Sequence, residues 1–316
     1  MGNQNRIGFL FPGQGAQYVG MGKELYHSYD EVKELFNKAD EILGRCISNI
    51  CLEGPESELI KTENTQPAVL LFSTAVMKVL LKHGIYPEMA AGLSLGEYGA
   101  LVAANSISFE DALPLVMKRG QFMQKAVPLG EGMMAAVLGL ERGKVEECCR
   151  LACDTGVVEP ANYNCPGQIV ISGQAAAVQK ACNIARDMGA KRTVPLSVSA
   201  PFHCSLLKPA GEKLKIELES IQIKKPEIPV ISNVEALPVK DAVHIRRLLV
   251  QQVSSPVRWE DSIRYMIGHG VEVFIEVGPG RVLNGFLKKI SKMVKGYNVE
   301  DLETLRRTVE GLGGTL

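Results

Sequence analysis

The chain has 316 residues, of which 46% are hydrophobic and 22% charged, a balance that excludes a disordered or fibrous protein and allows one large core or a core with an inserted subdomain. Lysine plus arginine equals aspartate plus glutamate at 35 each, so no global field favours nucleic acid or an anionic membrane. The eight cysteines have no repeated spacing, the first residues lack the apolar stretch of a signal peptide, and no apolar run approaches the ~20 residues of a membrane span, so the chain reads as reduced and cytoplasmic.

Arg6 to Phe11 suits a buried strand and ends in Phe11-Pro12-Gly13-Gln14-Gly15-Ala16-Gln17. The two glycines flank Gln14 and free its backbone N–H, but Tyr18 stands where a dinucleotide fingerprint needs its third glycine, so that reading fails. Ser28 and Glu31 read as a capping box for a helix through Val32, Phe36 and Leu43, closed by Gly44. Pro67 is expected to open a second helix that ends at Gly84. The next strand leads into Ala91-Gly92-Leu93-Ser94-Leu95-Gly96-Glu97-Tyr98-Gly99-Ala100. This stretch contains G-x-S-x-G, the pattern of a serine on a tight strand-to-helix turn, and makes Ser94 the candidate nucleophile. An isolated match of this kind is more often a plain turn, but a preceding strand and a following Ala-rich helix supply the setting the motif needs.

Ser108 and Asp111 form an N-terminal cap for a helix carrying Arg119 and Met123. From about Gly132 the rhythm becomes β-α-β-β-α-β, the split motif of ferredoxin-like domains, so residues 129–197 read as a subdomain inserted between residues 1–128 and 198–316. The main domain resumes near Ser199 with a helix around 206–219, strands at Ile228–Ser232 and Val271–Val277, and helices from Asp241 and from Trp259. Asn298 with Asp301 caps a last short helix before a Gly-rich tail.

A serine hydroxyl needs a base to take its proton. His27 and His83 fall in or at the ends of helices, and His244 and His269 fall on surface helices, where capping or solvation explains them. His203 follows Ser199-Ala200-Pro201-Phe202, an irregular stretch between a strand and a helix where functional side chains are often presented. No C-x-x-C pair or nearby histidine completes a zinc set around Cys148, Cys149 and Cys153, so packing thiols are expected there.

Six ordered stretches together resemble the malonyl-CoA:acyl carrier protein transacylase family. They are Phe11–Gln17, Gly92–Tyr98, Arg119-Gly120 with Met123-Gln124, Ala161–Asn164, Pro201–His203, and Gln252 ahead of Pro256–Trp259. The resemblance spans Phe9 to about Phe286 and extends to the acyltransferase domains of polyketide synthases. It implies an α/β hydrolase-like core with a parallel sheet, a ferredoxin-like insertion forming the far wall of the cleft, and no metal or redox cofactor. It also implies that Ser94 attacks, that His203 is base and acid, and that the backbone carbonyl of Gln252 orients the imidazole. The N–H groups of Gln14 and Leu95 would form the oxyanion hole. Arg119 would hold the malonyl carboxylate, with Phe202, Met123 and Asn162 lining the acyl pocket; from position alone, an ion pair with Glu110 or Asp111 is the simpler reading of Arg119. One departure is visible: the family usually has histidine where Leu93 stands.

The function so implied is ping-pong transfer of malonyl from malonyl-CoA to holo acyl carrier protein, and a compact chain without an obvious coiled coil is expected to be a monomer. Lys288, Lys289, Lys292 and Lys295 form a basic cluster that could meet an acidic carrier or simply be a solvated face. The alternatives are a trans-acting polyketide-synthase acyltransferase, a serine hydrolase or thioesterase using Asp154 or Asp187, and a non-catalytic carrier-docking module.

Overall fold

The structure, a computed structural model, describes residues 6–196, 198 and 200–315. Ser199, near which the main domain was expected to resume, lies outside the described residues. Among the described residues nine strands appear in chain order: β1 Ile7–Phe11, β2 Met89–Gly92, β3 Gly132–Leu138, β4 Val158–Cys165, β5 Gln168–Gln174, β6 Arg192–Pro195, β7 Val230–Ile231, β8 Val273–Val277 and β9 Lys295–Val299. They form two sheets.

The first sheet is parallel, in the order β7-β2-β1-β8-β9. Its inner strands are largely apolar because helices cover both faces, with Glu276 in β8 a buried exception, while the edge strand β9 is polar at Lys295 and Asn298. Phe9, Phe11, Ala90 and Ile275 belong to the cluster on one face, and Leu10, Ala91, Ile231 and Phe274 to the cluster on the other. The carboxyl ends of β1, β2 and β7 lie side by side, which is where open parallel sheets present their functional loops.

The second sheet is antiparallel in the order β4-β5-β3-β6 and is joined by the helices Arg142–Ala152 and Ala175–Asp187. The β-α-β-β-α-β rhythm is thus realised, with the pairing of a ferredoxin-like unit. Alternation along its strands divides its contacts. Ala135, Val137, Ile169 and Ile171 join the cluster under its own helices, while Met134, Ala136 and Val170 join the main core. Strand β4 is tied to the main body through Tyr163 N–H to Val257 C=O at 2.9 Å and Val257 N–H to Ala161 C=O at 2.8 Å.

Several local expectations are corrected. Ser28 ends a short helix, Lys23–Ser28, and Tyr29, without a side-chain cap, precedes the helix Asp30–Leu43. Glu31 instead pairs with Lys82 at 2.7 Å. Pro67 does not open its helix, which spans Thr62–Lys82 and contains the proline. Proline lacks the N–H that would have bonded Glu63 C=O, and Arg45 Nη2 donates to that carbonyl at 3.4 Å. Ser108 does cap the helix Phe109–Lys125, its Oγ accepting from Asp111 N–H at 3.0 Å. The last helix, Leu302–Gly311, is capped by Asp301 with Thr304 as the reciprocal partner, whereas Asn298 lies in β9.

Candidate active site

Ser94 follows β2 at a backbone φ of 54°, a left-handed conformation that serine rarely adopts. The turn is compressed: a Cβ on Gly92 would lie 1.9 Å from the carbonyl carbon of Gly96, and one on Gly96 would lie 2.1 Å from Phe11 O. Only glycine fits at either place, so the two glycines of the motif are steric necessities. The helix Gly96–Ala103 starts immediately after the turn. Leu93 N–H bonds Phe11 C=O at 3.0 Å, which joins the serine turn to the loop after β1.

Ser94 Oγ lies 2.7 Å from His203 Nε2, and His203 Nδ1 lies 2.8 Å from Gln252 C=O. A carbonyl can only accept, so Nδ1 carries the proton and Nε2 is left to accept from the serine hydroxyl. Gln252 ends the helix Ala242–Gln252, where a carbonyl has no intrahelical donor and the negative end of the helix dipole favours a cation on the ring. His203 is itself in the left-handed region at φ 60° and is buried. Burial, and then the neighbouring Arg119 charge, push its pKa down to about 4, so the ring is unprotonated at neutral pH. No carboxylate bonds this imidazole among the described residues: Asp154 pairs with Lys180 at 2.6 Å, and Asp187 is exposed.

Arg119 is 1% exposed. Its Nη1 donates to Gln66 Oε1 at 2.9 Å, and its Nη2 donates to Gln252 Oε1 at 2.9 Å and to Ser94 Oγ at 3.1 Å. Burial lowers its pKa against the opposing pull of Tyr98 and Glu97, yet a guanidinium stays charged. It makes no ion pair among the described residues, so the reading of an ion pair with Glu110 or Asp111 fails; Glu110 pairs with Lys38 at 3.1 Å. Its hydrogen bonds among the described residues all go to neutral groups, and a buried charge left unpaired costs several kcal/mol.

Met123 is buried with its Sδ 3.7 Å from Gln66 Nε2, and Phe202 is buried next to the base. Asn162 lies in β4 at a register shift, not in a turn, and its carboxamide makes no hydrogen bond among the described residues. The backbone N–H groups of Gln14 and Leu95 likewise donate to nothing among the described residues, whereas Ser94 N–H is taken by Asn233 Oδ1 at 2.6 Å. Gln14 Nε2 reaches Thr62 Oγ1 at 3.3 Å. Leu93 is half-buried beside Gly13 and packs against the apolar cluster containing Val257 and Trp259. The remaining histidines lie elsewhere: His83 bonds Tyr29, His244 bonds Glu235, and His269 stacks on Tyr265.

Sequence reasoning missed Asn233, Gln66 and the buried Glu97. A polar Ser232-Asn233 pair directly after a parallel strand was the available signal for the first, since such positions abut the functional loops. Among the described residues there is no cluster suited to a metal ion. No helix there is long and apolar enough to cross a membrane.

A serine on a strained turn hydrogen-bonded to a carbonyl-oriented histidine, beside a buried cation, is an arrangement that serine enzymes of acyl transfer and acyl hydrolysis share as a class. The sequence profile of the acyl transferase domain matches residues 8–311. The malonyl CoA-acyl carrier protein transacylase of Bacillus subtilis is 48% identical over 309 residues, covering 98% of each chain. Its Escherichia coli O157:H7 counterpart is 46% identical over 90% of this chain and 93% of its own. The solved structure of the acyl carrier protein S-malonyltransferase from Vibrio cholerae superposes with a TM-score of 0.94 at 44% identity, over 96% of this chain and 99% of that one. A malonyl-transacylase solved in complex with a type II polyketide synthase acyl carrier protein gives 0.95 at 40% identity, over 97% and 99%. The chain belongs to the acyl transferase family, among the malonyl CoA-acyl carrier protein transacylases.

Proposed function

We propose that the protein transfers malonyl from malonyl-CoA to the phosphopantetheine thiol of holo acyl carrier protein through a malonyl-Ser94 ester. The observation that carries this reading is the meeting of three groups at one atom: Ser94 Oγ lies 2.7 Å from a neutral, oriented His203 and 3.1 Å from the unpaired Arg119.

In the first half-reaction His203 Nε2 takes the Ser94 proton while Oγ bonds the thioester carbonyl carbon. The carbonyl oxygen becomes an oxyanion, accepted by the free N–H groups of Gln14 and Leu95; one such donor contributes about 3 kcal/mol to lowering the barrier. The carbon–sulfur bond then breaks and the proton on His203 passes to the departing CoA sulfur. The second half-reaction repeats these steps with the carrier thiol as nucleophile and Ser94 as leaving group.

Arg119 receives the malonyl carboxylate, which supplies the counter-charge it lacks, and an acetyl group would leave that charge unpaired. Phe202 and Met123 line the acyl pocket, with Phe202 set against branching at the α-carbon. Asn162 offers its carboxamide from the opposite wall. The protein acts as a monomer without metal or redox cofactor. Residues 129–197 are an inserted subdomain whose own apolar cluster, from Ala135 to Ala185, supports those limits.

Lys288 and Lys289 on the helix Val282–Ile290, with Lys292 and Lys295 beyond it, are exposed and suit an acidic carrier. Fatty-acid synthesis is the first reading of the carrier's pathway. The polyketide carrier bound to a solved relative favours a trans-acting polyketide-synthase role as the second.

The test is incubation with radiolabelled malonyl-CoA, with and without holo acyl carrier protein. Label held by the wild type, absent in Ser94→Ala and chased onto the carrier is the expected result. Release chiefly as free malonate would instead assign a hydrolase, and no label at all a docking module.

A further inference from the structure

Beneath the Ser94 turn lies a polar cluster that takes no part in the chemical steps. Glu97, in the first turn of the helix Gly96–Ala103, is 1% exposed. Its Oε2 accepts Asn233 N–H at 3.0 Å and Gln252 Nε2–H at 2.6 Å. Each of these partners leads to a functional group. The Asn233 side chain spans the turn, accepting Ser94 N–H at 2.6 Å and donating to Gly92 C=O at 2.7 Å. It thereby holds the serine at its left-handed φ and keeps the serine's own N–H out of the cleft. Gln252 donates to Ser94 C=O at 3.0 Å, and its Oε1 accepts from Arg119 Nη2 at 2.9 Å. The same residue's backbone carbonyl orients His203 at 2.8 Å.

We propose that Glu97 is the positioning residue of this site, fixing the Ser94 turn through Asn233 and the Arg119 guanidinium through the Gln252 side chain. The proposal rests on the reading of Ser94 as the acylated residue and Arg119 as the acyl-carboxylate receptor. A carboxyl suits the position because one oxygen with two lone pairs accepts both donors. Burial raises the Glu97 pKa to about 7, and Oε2 accepts in the ionised form and as the carbonyl of the neutral form. Glu276, another buried carboxylate, instead caps the helix that follows its strand, accepting Leu283 and Asn284 N–H.

The test is single-turnover acylation by malonyl-CoA and by acetyl-CoA in the wild type, Glu97→Ala, Glu97→Gln and Gln252→Met, with thermal melts confirming folding. Glu97→Ala should lose malonyl acylation at least about 100-fold and lower the malonyl-to-acetyl ratio at least about tenfold. Glu97→Gln keeps a carbonyl oxygen for both donors and should restore the wild-type ratio with a rate within about tenfold of wild type. If Glu97→Ala does not fold, Gln252→Met carries the test. It keeps the carbonyl that orients His203 but cuts the link to Arg119, so its ratio should fall at least about tenfold with the pH profile unchanged. An unchanged ratio in folded Glu97→Ala or in Gln252→Met overturns the proposal, as does a Glu97→Gln variant no better than Glu97→Ala. A wild type that accepts neither acyl group, or a Ser94→Ala variant acylated like the wild type, refutes the transfer reading itself and the proposal with it.

Discussion

At the scale of single residues, the proposed chemistry rests on two ionisable groups, and burial disfavours the charged form of each. His203 is desolvated so that it stays a free base, with its pKa lowered from 6.5 to about 4. The proton that would disable it binds only below that value, so kcat/KM for malonyl transfer should stay level from neutral pH down to about 5 and fall only near pH 4. An acid limb at 6.5, the ordinary histidine value, would show that the ring is solvated in the working enzyme. Arg119 is buried among neutral hydrogen-bond partners, and in the proposed mechanism an incoming carboxylate is its counter-ion. Arg119→Ala should cost about 3 kcal/mol of malonyl transition-state binding, roughly 100-fold in kcat/KM, while acetyl transfer changes little or rises. Steady-state kinetics with both thioesters check this, and an unchanged selectivity ratio would remove Arg119 from the acyl pocket.

At the scale of elements, the serine turn is the most constrained part of the chain. Gly96→Ala would drive a Cβ to within 2.1 Å of Phe11 O, which is backbone and cannot yield. We expect that variant to be insoluble, or folded with a melting temperature well below wild type and a stability loss of more than about 3 kcal/mol; unaltered melting and acylation would mean that the turn is looser than its geometry. This turn was legible in the sequence because its chemistry is local: two glycines, a serine, a strand before and a helix after. The loop after β1 and the irregular stretch before His203 were legible for the same reason. What could not be read depends on tertiary partners. Tyr29, not Ser28, precedes the helix Asp30–Leu43, and Pro67 lies inside its helix, where Arg45 donates to the carbonyl that the proline leaves free. Strand β9, Lys-Gly-Tyr-Asn-Val, has too little apolar pattern to announce an edge strand. The Glu97–Asn233–Gln252 network joins residues more than a hundred positions apart, and only the juxtaposition of β2, β7 and the helix Ala242–Gln252 brings them together.

At the scale of the whole molecule, two sheets divide the work. The parallel sheet presents Gln14, Ser94 and Leu95 after the carboxyl ends of β1 and β2, and the antiparallel sheet packs against the same body through Met134, Ala136 and Val170. With balanced total charge, attraction for an acidic carrier must come from a local patch. Replacing Lys288, Lys289 and Lys292 together by Gln should raise KM for holo acyl carrier protein severalfold at low salt and leave KM for malonyl-CoA and the thermal melt unchanged. The difference should fade as salt rises, because exposed charges are screened over about 10 Å at 0.1 M. An equal effect on both substrates would place carrier docking elsewhere.

The central claim is that Ser94 carries the acyl group between two thiols. Its most direct test is peptide mapping by mass spectrometry of protein quenched after mixing with malonyl-CoA, before and after addition of holo acyl carrier protein. The predicted result is malonyl on the peptide containing Ser94, lost on addition of the carrier and recovered on the carrier's phosphopantetheine thiol. Malonyl on the carrier with no acyl-serine at any time, or an acyl group mapped to another residue, would contradict it.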